Sequence, residues 1–476
     1  MEKNQVNKML LLKSGFWYTV SNYLTRAMVF ITMPLFTRLM TKEQYGDFSV
    51  FANLQAILLV ICGLESYSTI NRARFDFESK SEFDEYITSS LLLSSLFTMS
   101  LFMLYLLFPN FFFKLFLLDS KYIYIMFSYL LFCPAFIMFQ AKQRIEYKYF
   151  LNSGISFFAS LFAAISSVVL VMCMPDDRLM GRILGQYVPY AILGFFFYLY
   201  FLYSSHSVSL KAFKYSLRMG LPMVFSFLGS QVLLCSDSLI VKHMSSAEAV
   251  SYLSVVHTCS HIVLLLIQTI NGAWAPWFYD MLKANSMKII RETYMFLLWF
   301  AVFCTFIAII IGPEIVLALG GQEYMESLDI LPAYVLCGVF TLLTAQFSNL
   351  ESYHKKPEYA AILTMIGAVI NIILNVLGIQ FIGYKAVCYA TVLSHLMLII
   401  LHYCLTLKMD IQELLPIKNL MMVIITSLLF IPYSIVIYKF SYIRYIFLIV
   451  IIIFSVGFLI IKRNDLYKIL KKINCK

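Results

Sequence analysis

The feature that most constrains this chain is its division into apolar runs of about twenty residues, set apart by short charged or Pro/Gly-bearing connections. A run of that length is what a helix needs to cross the hydrocarbon core of a bilayer. Fourteen can be marked, near 14–37, 48–70, 86–108, 122–140, 152–174, 183–203, 220–241, 250–273, 293–312, 330–350, 360–382, 386–407, 419–438 and 445–461. Lipid offers no partner to a backbone amide, so segments of this kind are restricted to helices packed side by side. Composition agrees, at 61% hydrophobic and 13% charged residues, where soluble domains carry about 25% charged. The sequence predicts an all-α integral membrane protein of about 14 transmembrane helices.

The basic residues orient it. With the amino terminus inside, segments 1–13, 71–85, 141–151, 204–218, 274–292, 351–359, 408–418 and 462–476 hold 25 Lys plus Arg and the outside connections 10. That asymmetry follows the positive-inside rule and predicts that both termini are cytoplasmic. The net charge of +10 is spread a few residues per loop, not gathered on one face with stacking aromatics, which argues against a nucleic-acid partner. The terminal run "KRNDLYKILKKINCK" reads as a basic tail attracted to anionic membrane lipid. The first apolar run continues well past signal-peptide length with no A-x-A site after it, so it reads as a retained helix. Ten cysteines occur without a C-x-x-C pair or metal-ligand spacing, and neither metal nor cofactor is expected.

One basic residue defies the pattern. Arg26 sits twelve residues from either end of the first run, roughly 18 Å from each boundary. An arginine at such depth costs about 2.5 to 3.5 kcal/mol on insertion scales. Tyr18, Asn22, Thr25 and Arg26 fall on one helical face.

The chain also repeats itself weakly. At a constant offset of 204, residues 24–54 face 228–258, with "FTRLMTKEQYGDFSVF" over "IVKHMSSAEAVSYLSV". Both copies begin a helix pair whose first member exits outward. This suggests two six-helix lobes, about 14–203 and 220–407, related by a pseudo-two-fold axis along the membrane normal, with two helices appended. The expected division is an N-lobe over 1–203, a C-lobe over 204–407, and two extra helices with the basic tail over 408–476.

The mid-span Asn/Arg pair of "SNYLTRAM", followed by "PLFTRLMTKEQYG" leading into the second helix, resembles the opening of polysaccharide flippases. These belong to the multidrug/oligosaccharidyl-lipid/polysaccharide exporter superfamily, and the match is nearest in style to O-antigen (Wzx-type) transporters. The resemblance implies a bacterial cytoplasmic-membrane protein with no enzymatic site. Its implied action is to move an undecaprenyl-diphosphate-linked oligosaccharide from inner to outer leaflet by alternating access. It implies contact with membrane lipid and with other polysaccharide-assembly membrane proteins.

Polar stripes supply the candidate site. Arg26 offers a planar, permanently charged fork for a diphosphate, while Asn22, Thr25 and Tyr18 suit sugar hydroxyls. Pro34, eight residues on, offers a kink for gating. Gln231 of span seven and Gln268 and Asn271 of span eight extend the substrate list. Asp237, His257, His261 and Glu65 are candidates for a coupling ion. Blander readings stand beside these. Asp237 could be a boundary ion pair with Lys242, and Glu65 a buried partner of Arg26. The histidines read first as interhelical hydrogen-bond partners. The stripes Thr364/Gly367/Asn371/Asn375/Gly378 and Thr391/Ser394/His395/His402 read first as packing seams. Trp274 and Trp277, flanking Pro276, read as interfacial anchors.

Two rivals remain. A drug or cation exporter of the same superfamily would share the architecture but favour a cavity acid over a central arginine. A membrane polysaccharide polymerase would need a sizeable outside loop, and the longest here, near 313–329, carries Glu314, Glu323, Glu326 and Asp329 without a base.

Overall fold

The computed structural model describes residues 23–450 except positions 26, 206 and 410, and no side chain at 226. Every regular element among the described residues is helical. Helix α1 is described over 23–25 and 27–39, then come α2 Lys42–Gly63, α3 Ser66–Asp76, α4 Lys80–Leu107, α5 Pro109–Phe116, α6 Ser120–Ile145, α7 Tyr149–Cys173 and α8 Arg178–Ser205. The second half holds α9 Leu210–Met244, α10 Ala247–Lys283, α11 Met287–Ile310, α12 Gly312–Leu319, a 3-10 turn Gln322–Asp329, α13 Leu331–Tyr353, α14 Pro357–Ile382 and α15 Ala386–Thr406. After these come the short α16 Ile411–Leu414, α17 Ile417–Leu428 and α18 Phe430–Ile437, then α19 Ser441–Val450.

Twelve helical stretches among the described residues, α2 with α3 and α17 with α18 each counted as one, are long and apolar enough to cross a membrane. Each matches one of the runs marked in the sequence, and α1 and α19 are the described parts of the first and last, so fourteen is an approximate count. The protein is a multi-pass membrane protein.

Helix starts follow local chemistry. Thr41 and Gln44 form a reciprocal capping box, each side-chain oxygen 3.2 Å from the other's backbone nitrogen. Ser246 caps α10 through the Ala249 amide. Two helices outrun the bilayer. At 35 and 37 residues, α9 and α10 extend about 50 Å, so α10 continues past the expected end of span eight. That changes the role of Trp274. It is buried, donating Nε1–H to Gln346 Oε1 at 2.7 Å, a core group rather than the expected interfacial anchor. The expected span 48–70 departs too, because α2 and α3 are separated by Leu64 and Glu65, both left-handed at φ 50° and 48°. Such a conformation costs of order 1–3 kcal/mol for a non-glycine residue. Gly220 of α9 closes over the break, where a Cβ would come within 2.4 Å of the Leu64 carbonyl oxygen.

In the first half α8 packs along both α6 and α7, and in the second α14 lies against α9 and α15 while α13 lies against α10 and α15. The two halves meet where α2 packs on α9 and α10, and where the start of α9 rests on α3 and α4. Short helices α5 and α12 both span eight residues and carry a proline in the first two positions, Pro109 and Pro313, 204 residues apart.

Candidate functional site

Span seven carries one carboxylate, Asp237, and the fold buries it. Helix α14 supplies Asn375, whose Nδ2 donates to Asp237 Oδ1 at 2.7 Å. From α13 the Tyr334 hydroxyl donates to Oδ2 at 3.0 Å, and the Thr391 hydroxyl of α15 lies 3.0 Å from the same oxygen. Asn371 completes the cluster, its Oδ1 accepting from Asn375 Nδ2 at 3.0 Å and from Ser236 Oγ at 3.2 Å. A carboxylate held by neutral donors from three other helices is solvated without being neutralised. Lys242, the boundary partner weighed for it, instead pairs with Asp47 of α2.

Asp237 forms one end of a cavity of about 300 Å³ lined by α9, α10, α13, α14 and α15, which also receives Ser260, His257, His261, His395 and His402. The His257 ring lies 4.3 Å from that of Tyr334, and its Nε2 is buried with no hydrogen-bond partner among the described residues. His261 is 6.4 Å from His257, ring to ring. The structure therefore brings together Asp237, His257 and His261. The seam residues Asn371, Asn375 and Thr391 do pack helices, and in doing so they also dress this acid.

Other sequence candidates lie apart. Gln231 does not line the cavity and accepts a contact from Cys235 Sγ at 3.7 Å. Asn271 accepts from Asn349 Nδ2 at 3.1 Å, a bond between α10 and α13 far along from Asp237. Gln268 is exposed on α10. Glu65 is fully buried at the α2–α3 break, accepting from the Tyr67 hydroxyl at 2.6 Å and the Ser68 hydroxyl at 2.8 Å. Thr25 is half-buried. Tyr18, Asn22 and Arg26 lie outside the described residues.

Sequence reasoning missed Tyr334, one of 32 tyrosines with nothing in its neighbourhood to mark it. It also assigned Glu351 to a connection, whereas Glu351 is in α13, fully buried against His402.

At the end of the molecule opposite the basic loops the halves are joined tightly. Lys42 lies 3.2 Å from Glu248 and 2.9 Å from the Tyr252 hydroxyl, and Lys242 pairs with Asp47. Between these bridges a Cβ at Gly46 would stand 1.8 Å from the Ala247 carbonyl oxygen, so only glycine permits this crossing of α2 over α10. Beside it opens a polar recess of about 690 Å³ lined by Arg38, Lys42, Arg178, Glu43, Glu248 and Glu323 among others.

A family described as polysaccharide biosynthesis protein matches residues 11–282, more than half of the chain. The chain belongs to this family. Protein 1 of the Lsg locus of Haemophilus influenzae is 20% identical over 423 residues, covering 84% of this chain and 99% of that protein. Among solved structures, a lipid II flippase in an inward closed conformation superposes with a TM-score of 0.69 at 18% identity, over 94% of this chain and 99% of its own. An inward-facing multidrug resistance transporter follows at 0.60 and 16% identity, over 83% of this chain and 95% of its own. What the chain shares with this flippase and this transporter is their fold.

Proposed function

We propose that this family member is a flippase that carries an undecaprenyl-diphosphate-linked oligosaccharide, an O-antigen or capsular repeat unit, from the inner to the outer leaflet by alternating access. The observation that carries the proposal is the family match over 11–282 on the fold of a lipid II flippase. In this reading residues 1–203 and 204–407 are two lobes, 408–476 is an appended pair of helices with its tail, and both termini are cytoplasmic in the bacterial inner membrane. The equal offset of Pro109 and Pro313 supports the lobes. Substrate enters between them and meets Arg26, Asn22, Thr25 and Tyr18, with Gln231, Gln268 and Asn271 on the facing side. Asp237, with His257 and His261 beside it, binds the coupling cation, and Glu65 is a second ionisable group at the helix break. The glycine crossing and ion pairs between α2 and α10 are the contacts that opening to the outer leaflet must break.

A multidrug exporter is the second reading, favoured by the resemblance to such a transporter. One experiment separates them. Cells lacking the protein should accumulate lipid-linked oligosaccharide on the inner leaflet and lose surface polysaccharide. Unchanged polysaccharide with increased sensitivity to cationic drugs would overturn the flippase reading in favour of the exporter.

A further inference from the structure

The cavity that starts at Asp237 has a second ionisable end. His402 lines it too, and along α15 the eleven residues from Thr391 to His402 make about 16 Å. Hydroxyls of Ser230, Ser260, Thr341, Thr344, Ser348 and Thr364 mark the walls between. A cavity of about 300 Å³ has room for several waters, and these hydroxyls offer them hydrogen bonds.

At this far end His402 Nδ1 lies 2.7 Å from Glu351 Oε1, with the two side chains 1% and 0% exposed. Glu351 Oε2 is buried without a hydrogen-bond partner among the described residues. Phe347 stacks on the imidazole at 5.8 Å. Nearby titratable groups are engaged elsewhere. His354 faces Leu350 O, His395 faces Thr391 O, Tyr294 of α11 donates to Leu342 O and Tyr279 of α10 stacks on Tyr353. Tyr403, beside His402, has a buried hydroxyl without a partner. The charged groups Lys355, Lys356, Glu358, Lys408, Glu413 and Lys418 on the surrounding elements are exposed.

Apart from the doubly protonated form, such a pair has two charge states. With a carboxylate and an imidazolium, or a carboxylic acid and a neutral imidazole, it is net neutral. After one proton leaves to water it is a carboxylate beside a neutral imidazole, net −1, and no fixed cation lies against it among the described contacts. A buried uncompensated charge is costly, so the proton's departure must be answered by a cation in the cavity or by a change in packing. We propose that Glu351 and His402 form a proton-binding site that exchanges with water through this cavity, and that its occupancy is linked to that of the Asp237 cluster at the other end. The link to transport rests on the flippase reading, whereas the proton site does not.

Infrared difference spectra of the purified protein in lipid nanodiscs, taken between acidic and alkaline buffer in water and in heavy water, test this directly. The expected result is a titrating protonated-carboxyl band that shifts in heavy water, vanishes in Glu351→Gln and survives in Asp237→Asn. In His402→Gln its midpoint should move by about one pH unit, a tenfold change in proton affinity. An identical band in Glu351→Gln, or a band unmoved by heavy water, would overturn the site. Should Glu351→Gln not fold, an unmoved midpoint in His402→Gln overturns it alone. A titrating site in a protein whose deletion causes no accumulation of lipid-linked oligosaccharide would leave the proton site standing and remove the transport reading.

Discussion

The two halves of this molecule use similar helices to hold opposite charge. In the first half, Lys121 at the start of α6 pairs with Asp177 just before α8. At the corresponding place in the second, Asp329 just before α13 pairs with Lys385 just before α15 at 2.8 Å. The polarity is reversed while the staple between connections is kept. At the other end, the first half buries Lys142 against Asp84 at 2.5 Å, with Ser204 as a further partner of that carboxylate at 3.2 Å. The second half buries Glu351 against His402. In the interior the first half holds a cation, Arg182, its guanidinium 3.4 Å from the Phe36 ring centroid and 4.0 Å from that of Phe48, a cation–π sandwich. The second half holds an acid, Asp237, and a cavity. The first half holds basic groups, Lys142 against Asp84 and Arg182 between aromatic rings, whereas the second holds the Glu–His pair and Asp237, which the proposals above make exchange a proton and a cation. On that reading one half is electrostatically fixed and the other is able to switch.

The sharpest break of that contrast compares the two charges proposed to act in transport. Arg26→Ala is expected to leave protein abundance unchanged and to lower transport of lipid-linked oligosaccharide at least tenfold, with Lys recovering part of it through charge without the planar fork. Asp237→Asn is expected to keep substrate binding and abolish the dependence of transport on the coupling cation. Vesicle assays with and without a cation gradient measure both. If Arg26→Ala instead removes the folded protein and Glu65→Gln rescues it, Arg26 is a buried ion-pair partner.

Stability tests the fixed half next. Removing one partner of a buried pair leaves an uncompensated charge and costs about 3–5 kcal/mol, so Lys142→Met should sharply lower the thermal midpoint of the purified protein. The double change Lys142→Met with Asp84→Leu should recover most of the loss. Glu351→Gln is expected to cost far less, because an amide can still meet His402 and no charge is stranded. Equal losses in the two halves would erase the distinction.

Much of this was legible in the sequence, and the remainder failed for identifiable reasons. Apolar run length is a direct statement of bilayer thickness, so every described long helix matched a marked run. The offset of 204 lay in the residues around Arg38 and Lys242. Burial of single polar residues is decided by neighbours far along the chain, and a run of hydropathy does not carry it. Glu351 ended an apolar run and so read as a loop, while α13 continues to Tyr353. Trp274 ended another, while α10 continues to Lys283. The break at Leu64–Glu65 carries neither glycine nor proline at its two left-handed positions, and the one local sign of it is Gly63 just before. Asn371, Asn375 and Thr391 were visible as a stripe, but only the fold shows Asp237 set among them.

The contact between halves gives a smaller effect. Gly46→Ala adds one carbon where the Ala247 carbonyl stands 1.8 Å away, and overpacking of this kind costs about 1–3 kcal/mol. The cost falls only on the state in which α2 crosses α10. Cysteines at Lys42 and Glu248 should therefore cross-link at least about fivefold less in Gly46→Ala than in the parent pair. Unchanged cross-linking would mean that the crossing tolerates a side chain and is no gate.

The smallest expected effect lies at the reversed staple. Asp177 is held below the ordinary carboxylate range: burial pushes it up, but hydrogen bonds from Lys121, the Met180 amide and the Tyr122 hydroxyl outweigh it. A carboxyl whose folded value is depressed stabilises the fold above its unfolded value, about 3.9, and loses that contribution as pH falls below it through the folded value. Partly exposed pairs are worth about 0.2–1 kcal/mol. Asp177→Asn should therefore lower the thermal midpoint slightly at neutral pH, and the difference from the parent protein should shrink in strongly acidic buffer. Lys385→Gln tests the same staple from the cationic side in the second half. Its Lys385 partners are both largely exposed, Asp329 at 69% and Glu326 at 56%, so solvent screens that pair more and its loss should be the smaller of the two. An Asp177→Asn loss that persisted undiminished in acid would show that Asp177 acts through its amide and hydroxyl contacts, not its charge, and that reversed polarity is incidental to how these connections are tied.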